Sequence, residues 1–368
     1  MPIHQIDIEQ FIDLASGNFI FDVRSPSEYT KAHIPGAISL PLFTDDQRKI
    51  IGTAYKQENR KTAVNHGLRF FSQRMLEIPL EAEKVLVQHK INSEDTKIFI
   101  HCWRGGMRSS SVAWLFNLYG YQVFTLVGGY KSFRRWVLEK FDKKYKLNIL
   151  GGYTGSGKTE IIEKLKEIGK NVINLEKLAS HRGSAFGSLG EPSQPSQEMF
   201  ENCLAIELHK LFTNDNAKSQ LNLYFQEIWI EDESRHIGKV GIPLSFWNQM
   251  RSSNLYFLEI PYDERLRYIV KNYGQYPKED LINAILRIQK RLGGLDTANA
   301  VDFIQKGNTA ACFSILLSYY DRLYKNSLDE RENLASILRI VQSDRVHISV
   351  VEKLNALTKK SGTEIEII

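Results

Sequence analysis

The sequence is poor in cysteine, with only Cys102, Cys203 and Cys312 among its 368 residues. Three cysteines offer no paired disulfide framework, so we expect a reducing compartment, the cytoplasm. No apolar run reaches the roughly 18 residues that a membrane span needs. The first residues also lack the basic and then apolar pattern of a secretory signal. We therefore expect a cytoplasmic protein with no membrane partner.

Low-complexity tracts and internal repeats are absent as well, which excludes a solenoid or a disordered linker protein. With 42% hydrophobic and 25% charged residues, the composition is typical of a folded globular protein. The chain is too long for one ordinary core, so two or three domains are expected. Its net charge of +5 suits a polyanionic partner such as nucleic acid but does not require one.

Strand and helix patterns alternate in the first part of the chain. The apolar segments FIFDV, KIFIHC and YQVFTLV are typical of strands, and 109–119 of a helix. This alternation predicts an α/β domain with a parallel sheet. Residues 43–95 form a long polar insert that we expect to be helical. The charge-rich segment 138–146 has few packing signals, so the first domain is predicted to span 1–142.

A second α/β domain is predicted over 143–262. It begins with the strand KLNILGG, a glycine-rich loop and a helix, and further strand candidates are NVINLEKLASH, LNLYFQEIWIEDES and NLYFLEIPY. Beyond these segments, apolar residues recur at helical spacing, for example in EDLINAILRIQKRLGGL. We therefore expect 263–368 to be a helical extension that packs on the second domain.

The first candidate site is the loop HCWRGGMRSS, which follows a predicted strand. Its two glycines let backbone N–H groups turn inward, its two arginines bring positive charge, and a helix is expected to begin near its serines. Each of these features favours a thiolate and binds an anion above it. Cys203 and Cys312 lie in apolar helical surroundings and are interpreted as structural. The candidate catalytic residues of the loop are Cys102, Arg104, Gly105, Gly106, Arg108 and Ser109.

The second candidate site is GYTGSGKT, which matches the P-loop pattern G-x-x-x-x-G-K-[ST] between a strand and a helix. Its glycines allow amide groups to converge on phosphates, its lysine neutralises them, and its last threonine is placed to bind Mg²⁺. The sequence contains no N-K-x-D guanine motif. The candidate diphosphate-binding residues are Gly152, Thr154, Gly155, Ser156, Gly157, Lys158 and Thr159.

An acidic run closes the apolar strand EIWIEDES, where a carboxylate near a P-loop metal is expected. Asp232 is the preferred residue and Glu231 the next, with a solvated acidic turn as the alternative. We assign no other metal ligands.

Two known families offer different interpretations of the cysteine loop. The segment FDVRSPSEYTKAHIPGAISLPL resembles the N-terminal signature of rhodanese domains, which implies a cysteine that carries sulfur as a persulfide. Cys102 and Arg108 are also spaced as C-x5-R, the signature of cysteine-dependent phosphatases. A loop of this width suits a tetrahedral, phosphate-type anion. The loop by itself leaves both interpretations open.

Almost the whole chain resembles the tRNA 2-selenouridine synthases. The resemblance is carried by the C-x-R-G-G-x-R-S loop followed by a P-loop, and by the segments RKIIGTAYKQ, LEKLASHRGSAFG, PSQEMFEN and IWIEDESRHIG. It implies that selenium from selenophosphate replaces sulfur in the wobble 2-thiouridine of tRNAs for lysine, glutamate and glutamine. It also implies geranyl diphosphate as a second donor, with S-geranyl-2-thiouridine as the intermediate and no tightly bound prosthetic group. A selenophosphate-supplying enzyme is a further candidate partner.

The resemblance divides the work between the two loops. The P-loop is expected to hold geranyl diphosphate, and the Cys102 loop is expected to handle selenium. His181 and Arg182, in SHRGS, are expected to bind a phosphate of a donor or of tRNA. Basic residues that follow the tRNA backbone are sought in GGYKSFRRW, where an ordinary solvated helix face is an equal alternative. These residues are Lys131, Arg134 and Arg135.

Three rival functions remain open at this stage. The first is a sulfurtransferase fused to a small-molecule kinase that binds ATP, and the second is a cysteine phosphatase. The third is a regulatory rhodanese module with a nucleotide switch, although such a module has no use for an activated thiol.

Overall fold

The computed structural model describes residues 2–88, 96–213, 227–347 and 349–361. The chain divides into two compact units. The first contains Met1–Lys140 and Glu201–Ile206, and the second contains Phe141–Phe200 and Glu207–Ile368. Residues 201–206, which the sequence placed in the second domain, thus group with the first unit.

The first unit is built on a parallel sheet with the strand order β1-β5-β4-β2-β3. The strands are β1 (His4–Ile6), β2 (Phe19–Asp22), β3 (Ile38–Ser39), β4 (Lys97–His101) and β5 (Gln122–Leu126). The helices are α1 (Ile8–Ala15), α2 (Pro26–Lys31), α3 (Asp45–Gln57), α4 (Arg60–Arg74), α5 (Glu77–Gln88), α6 (Met107–Leu118) and α7 (Gly129–Asp142). The central strand β4 leads directly into the cysteine loop.

The apolar runs become strands because both faces of this sheet are covered. Every residue of β2 is buried, and so are the last four residues of β4. Phe21 of β2 stacks on Phe116 of α6 with ring centroids 5.9 Å apart. Burying a side chain of this size stabilises a fold by about 1.5–3 kcal/mol. The sheet is therefore a rigid platform for the loop at its carboxyl edge.

The predicted helical insert contains the three helices α3, α4 and α5, and its residues 89–95 lie outside the described residues. Thr44 and Gln47 form a capping box at the start of α3, and Asn59 caps α4. Such caps satisfy backbone N–H groups that a helix leaves unpaired. Phe71 of α4 joins the core of the first unit. The insert is therefore packed on the sheet.

The second unit is built on another parallel sheet, with the order β12-β11-β6-β8-β7. Its strands are β6 (Lys146–Gly152), β7 (Asn171–Ile173), β8 (Glu227–Glu231), β11 (Asn254–Glu259) and β12 (Leu338–Gln342), and β9 (His236–Ile237) and β10 (Val240–Gly241) form an antiparallel pair. The first helices are α8 (Lys158–Glu167), α9 (Leu175–Ala179), α10 (Gln197–Thr213), which includes residues 201–206 of the first unit, α11 (Leu244–Ser252) and α12 (Tyr262–Tyr273). The remaining helices are α13 (Lys278–Arg287), α14 (Gln289–Leu292), α15 (Gly294–Gln305), α16 (Thr309–Asp329), α17 (Leu334–Ile337) and α18 (Ser349–Ser361).

The predicted α/β class with two parallel sheets is confirmed, and four details differ from the prediction. The strand candidate NVINLEKLASH is a strand only over Asn171–Ile173 and continues as helix α9. Strand β12 interrupts the segment that was expected to be helical, and it pairs with β11 at the sheet edge. Strand β1 was not predicted. Helix α6 begins at Met107 after an N-cap at Gly106, slightly earlier than expected. Residues 221–226 of a predicted strand, and residues 348 and 362–368 of the predicted extension, lie outside the described residues.

Within the described part of the chain, no helix has the length and apolar character needed to cross a membrane.

Candidate active sites

The backbone of the cysteine loop is held by the turn that follows β5. The N–H of Tyr130 donates to the Cys102 carbonyl at 2.8 Å, and the N–H of Lys131 donates to the Trp103 carbonyl at 3.0 Å. Gly105 has a φ of +63°, and a Cβ there would collide with the Leu126 carbonyl. Only glycine combines this conformation with so close an approach. The loop therefore has a fixed shape above the central strand.

The Cys102 thiol lies in surroundings that favour its charged form. The residue is only 3% exposed, and its Sγ lies 3.2 Å from the Ser109 hydroxyl. Burial acts to raise the pKa of Cys102, but the Ser109 hydroxyl, the Arg108 guanidinium and the Arg104 N–H outweigh it, so the pKa is lowered. A thiolate is the nucleophilic form of cysteine. By contrast, burial raises the pKa of Cys312 to about 12.

The carboxylate of Glu28 holds Arg108, the second arginine of the loop, in place. Arg108 Nη1 donates to Glu28 Oε2 at 2.7 Å, and Arg48 Nε of helix α3 lies 3.9 Å from Glu28 Oε1. Burial acts to raise the pKa of Glu28, but Arg108 and its other partners lower it. Sequence reasoning did not assign Glu28 or Arg48 to the site. The sequence signal that could have pointed to Glu28 is the capping box that it forms with Ser25 at the start of α2.

A pocket of about 1030 Å³ opens above the cysteine loop, bounded by helices α3 and α4 of the insert. Positively charged residues of the lining are Arg48, Lys49, Lys56, Arg104 and Arg108. Apolar residues of the lining include Leu42, Phe43, Ile51, Val64, Leu68 and Phe71. Cys102 is part of the same lining. The thiol is thus reached through a pocket with both cationic and apolar walls.

A buried ion pair supports the strand ends below the loop. Arg24 Nη2 donates to Asp22 Oδ2 at 2.6 Å, and its guanidinium lies 3.8 Å from the centroid of the Tyr130 ring. Burial acts to raise the pKa of Asp22, but His101 and Arg24 hold it below its usual range. His101 is fully buried, and this burial lowers its pKa. These groups lie in the core, where they brace the loop.

The second site is a complete P-loop between β6 and α8. Gly157 has a φ of +73°, and a Cβ there would collide with Val346. Lys158 Nζ donates to the Gly152 carbonyl at 2.9 Å, so it lies across the loop. The Ser156 hydroxyl donates to the Tyr153 carbonyl at 2.7 Å. The loop and the first turn of α8 together present the backbone groups that bind phosphates at a helix N-terminus.

Arg265 braces the same loop from helix α12. Its Nη1 donates to the Thr154 carbonyl at 3.1 Å, and its guanidinium pairs with both oxygens of Asp321 at 2.8 Å. The bidentate pair fixes the orientation of the guanidinium. Gly155 packs beside Arg265 as well, with a φ of +82°. Sequence reasoning did not find Arg265, because it is far along the chain from the motif.

Three carboxylates gather beside the P-loop. Oxygen atoms of Glu176, Glu231 and Glu233 all lie within 4.8 Å of one another. The Thr159 hydroxyl donates to Glu176 Oε2 at 3.2 Å. Oε1 of Glu231 is buried and has no hydrogen-bond partner among the described residues. Oxygen donors of this kind suit a hard divalent cation such as Mg²⁺, so the cluster fits the metal of a P-loop.

The electrostatics of the cluster favour the binding of a cation. Burial and then the neighbouring Glu176 raise the pKa of Glu231 to about 8, against the opposing effects of Lys158 and Thr159. Burial, and then the neighbouring Glu176 and Glu231, raise the pKa of Glu233. Burial likewise raises the pKa of Glu176, although Lys158 and Thr159 act against it. A divalent cation would favour the deprotonated form of these carboxyl groups, which is the form that binds metal.

The acidic residue that faces the P-loop is Glu231, whereas the sequence ranked Asp232 first. Asp232 accepts a hydrogen bond from Tyr324 at 2.5 Å and forms an ion pair with the buried Arg331. Tyr324 Oη also accepts the Gly152 N–H at 3.2 Å. Asp232 therefore acts on the loop through Tyr324. The difference arises because successive residues at a strand end point to opposite faces of the sheet.

His181 and Arg182 follow helix α9, near the carboxylate cluster. Arg182 Nε donates to Glu191 Oε1 at 2.7 Å, and its N–H donates to the Gly187 carbonyl at 2.9 Å. Arg182 also acts to lower the pKa of Glu176. Burial lowers the pKa of His181. Arg182 thus brings positive charge close to the carboxylate cluster.

The basic cluster on α7 is only partly open to solvent. Arg134 pairs with Glu201 at 2.5 Å and with Asn202 at 2.5 Å. Lys131 and Arg135 are exposed on the same helix. Arg134 is thus engaged within the first unit, and the two exposed residues remain the candidates for contact with a polyanion.

The fold and the two loops define a two-unit α/β protein with a rhodanese-type cysteine loop and a P-loop. The family model described as "Rhodanese-like domain" matches residues 7–135, and the one described as "tRNA 2-selenouridine synthase AAA domain" matches residues 145–353. The curated protein "tRNA 2-selenouridine synthase" of Shewanella piezotolerans is 32% identical over 366 residues, which covers 90% of this chain and 94% of the relative. The protein of the same name from Bdellovibrio bacteriovorus is 33% identical over 374 residues, which covers 90% of this chain and 94% of the relative.

The chain belongs to the tRNA 2-selenouridine synthase family. It is an enzyme of the transferase class, as the sequence resemblance predicted.

Proposed function

We propose that this chain converts the wobble 2-thiouridine of tRNA into 2-selenouridine, with selenophosphate as the selenium donor. The route passes through S-geranyl-2-thiouridine, made from geranyl diphosphate. One observation supports it above all: a single chain carries both an activated thiol loop and an intact P-loop. The substrates are the tRNAs for lysine, glutamate and glutamine, recognised through the anticodon region. A selenophosphate-supplying enzyme is a candidate partner.

The first step is assigned to the P-loop. The sulfur of 2-thiouridine attacks the allylic carbon of geranyl diphosphate, a C–S bond forms as the C–O bond breaks, and pyrophosphate leaves. The uridine loses its N3 proton, so that the product is neutral. Lys158 and the amide groups of the loop stabilise the charge that develops on pyrophosphate. Arg182 adds positive charge beside Glu176, and His181, whose pKa is lowered by burial, offers a neutral ring nitrogen next to it.

Mg²⁺ fits this site, and Glu231, Glu176 and Glu233 would hold it together with Thr159. When bound, it supplies positive charge for the phosphate oxygens. Glu231 carries a negative charge only when its carboxyl group is deprotonated, and Lys158 and Thr159 favour this deprotonated form.

The second step is assigned to the Cys102 loop. Selenium delivered from selenophosphate bonds to C2 of the base as the C2–S bond breaks, and geranyl thiol leaves with a proton. Water cleaves the P–Se bond and releases phosphate, so the atoms balance. Arg104, Arg108 and the amides of Gly105 and Gly106 bind the donor anion. A phosphate-sized donor explains the width of this loop better than a lone sulfur atom does.

The division of labour is tested with thiolated tRNA and mass spectrometry of its nucleosides. With both donors present, Cys102→Ala is expected to accumulate S-geranyl-2-thiouridine and to form no 2-selenouridine. Lys158→Ala is expected to slow geranylation by about 10²–10³-fold, the effect of removing one charged stabiliser. Equal loss of both steps in Cys102→Ala would refute the division, and a normal geranylation rate in Lys158→Ala would show that the P-loop binds something else.

A binding measurement separates this function from the kinase and phosphatase alternatives. The proposal expects a complex with tRNA whose affinity falls steeply as salt is raised, because phosphate contacts release counterions. A small-molecule kinase or phosphatase predicts no such complex. Turnover of a generic aryl phosphate that Cys102→Ala abolishes would favour the phosphatase.

A further inference from the structure

The pocket above Cys102 is larger than a selenium donor requires. Selenophosphate is an anion the size of phosphate, and the loop of amides and arginines accounts for its binding. Pockets of roughly 300–1,000 Å³ enclose whole drug-sized ligands. The pocket at Cys102 measures about 1030 Å³. Most of its space is therefore left for a second and bulkier group.

Two helix faces supply an apolar wall opposite the loop. On α3, Ile51 and Tyr55 line the pocket one turn apart. On α4, Val64, Leu68 and Phe71 line it at spacings of three and four residues. Residues at these spacings lie on one side of a helix. Helices α3 and α4 thus both turn an apolar stripe towards the cysteine.

Several of these apolar side chains are open to solvent, and exposed apolar side chains that adjoin one another often mark a binding site. Leu68 is 58% exposed, and Tyr55 is 62% exposed. Trp103 and Met107, on the loop side of the pocket, are exposed as well. Four exposed apolar side chains thus lie around one cavity, with the thiol in its lining.

The charges in the lining indicate what kind of molecule enters. Five lining residues are cationic, Arg104 and Arg108 beside the thiol and Arg48, Lys49 and Lys56 on α3, against the two carboxylates of Glu28 and Asp45. Arg48 Nε is buried and lacks a hydrogen-bond partner among the described residues. A ligand that fits such a lining has an anionic part and a substantial hydrocarbon part. An unmodified nucleotide lacks the second, and a free apolar molecule lacks the first.

We propose that this pocket binds the geranyl chain of S-geranyl-2-thiouridine while selenium replaces sulfur at C2 of the base, beside Cys102. The assignment rests on the proposed route through S-geranyl-2-thiouridine, and it deepens that route by placing the hydrocarbon in the rhodanese-like unit. The geranyl chain lies against α3 and α4, its sulfur end faces the loop, and the cationic residues of α3 bind phosphate groups of the RNA while Arg104 and Arg108 hold the selenium donor. The insert helices thereby make the second step selective for the alkylated base.

The experiment uses the full-length protein and an anticodon stem-loop RNA with either S-geranyl- or S-methyl-2-thiouridine at the wobble position. Equilibrium binding gives the ratio of the two dissociation constants, and nucleoside mass spectrometry gives selenation of each RNA. In the wild type, the S-geranyl RNA is expected to bind at least about tenfold more tightly, since an apolar pocket discriminates by about that factor or more. Leu68→Gln is expected to reduce this ratio several-fold.

Two variants control for general effects. Leu80 lies on helix α5, is 46% exposed and does not line the pocket, so Leu80→Gln is expected to keep the wild-type ratio. Leu68→Met conserves the apolar contact and is expected to keep it too. Binding of the S-methyl RNA is expected to be equal in all four proteins.

Each negative result of this experiment excludes a different part of the proposal. A wild-type ratio near one, or an unchanged ratio in Leu68→Gln, overturns the pocket assignment even if selenation proceeds. If the wild type selenates neither RNA from selenophosphate, the proposed route fails, and the dissociation constants still report whether the pocket binds the chain. A ratio that falls equally in Leu80→Gln assigns the effect to the whole insert and overturns the pocket.

Discussion

The most specific consequence of the cysteine loop concerns Ser109. Its hydroxyl lies 3.2 Å from Cys102 Sγ and is the strongest of the groups that lower the pKa of the thiol against its burial. The Ser109 hydroxyl donates to the Gly106 carbonyl at 3.0 Å, and it is also in reach to donate to an ionised Sγ. Replacing Ser109 by alanine removes this donor and leaves Arg108 and the backbone N–H groups in place. The pKa of Cys102 is therefore expected to rise in Ser109→Ala.

The size of the rise follows from the energy of one hydrogen bond to a charged group. Such a bond contributes about 1.5–3 kcal/mol, and one pKa unit corresponds to about 1.4 kcal/mol. The pKa of Cys102 is thus expected to rise by roughly one to two units. The thiolate is the form present above the pKa. As pH is lowered, the variant is therefore expected to lose its reactive thiolate at a correspondingly higher pH than the wild type.

The assay is the pH dependence of Cys102 alkylation by iodoacetamide, followed by peptide mass spectrometry. Reading the Cys102 peptide alone removes any contribution from Cys203 and Cys312. Ser110 is the matched control, because it is the next residue of helix α6 and its side chain is exposed. Ser110→Ala is expected to follow the wild-type curve.

Two results would refute this reasoning. If the curves of Ser109→Ala and the wild type coincide, the hydroxyl does not stabilise the thiolate. If Ser110→Ala shifts the curve as far as Ser109→Ala does, the effect belongs to the start of the helix in general.

Three further predictions concern the P-loop and the core. Mg²⁺ is expected to raise the melting temperature of the wild type and not of Glu231→Gln. Since the pKa of Glu231 is raised to about 8, this rise should be larger at pH 9 than at pH 6, and an equal rise at both would contradict the carboxylate site. Tyr324→Phe removes the acceptor of the Gly152 N–H, and urea unfolding is expected to show a loss of about 1–3 kcal/mol. Asp22→Ala leaves Arg24 buried without its partner, so a loss of about 3–5 kcal/mol is expected, and a loss below 1 kcal/mol would show that the pair is not buried in solution.

The sequence identifies both loops because their chemistry is local. In each loop, glycines that must adopt a positive φ lie within one short segment with the charged side chains, which are Lys158 in one loop and Arg104 and Arg108 after Cys102 in the other. Strands β2 and β4 were equally visible, since a strand buried on both faces is a continuous apolar run. These features need no knowledge of distant contacts.

The partners of the loops depend on tertiary structure and were therefore missed. Glu176 and Glu231 come from different segments of the chain, and only the fold brings their oxygens together. The ranking of Asp232 above Glu231 failed to locate the facing carboxylate, because the sequence does not show which way each side chain points where the strand ends. Arg265 supports the P-loop from a helix that begins long after it.

The insert and the edge strands were difficult for a different reason. Helix α3 shows apolar residues at helical spacing, but the pattern does not say which surface they face. Strand β12 has a single buried side chain, Val341, so its edge position leaves little apolar signal. Strand β1 contains only three residues, of which none is buried. Short edge strands are defined by their backbone pairing, which the sequence does not display.

The central claim is that the two loops act in sequence and independently on one nucleobase. The most direct test gives Lys158→Ala a tRNA that already carries S-geranyl-2-thiouridine, with selenophosphate as the only donor, and measures 2-selenouridine by mass spectrometry. The account predicts a wild-type yield from this variant and none from Cys102→Ala. Loss of 2-selenouridine in a folded Lys158→Ala protein would contradict it, because the P-loop would then be needed for selenium transfer itself.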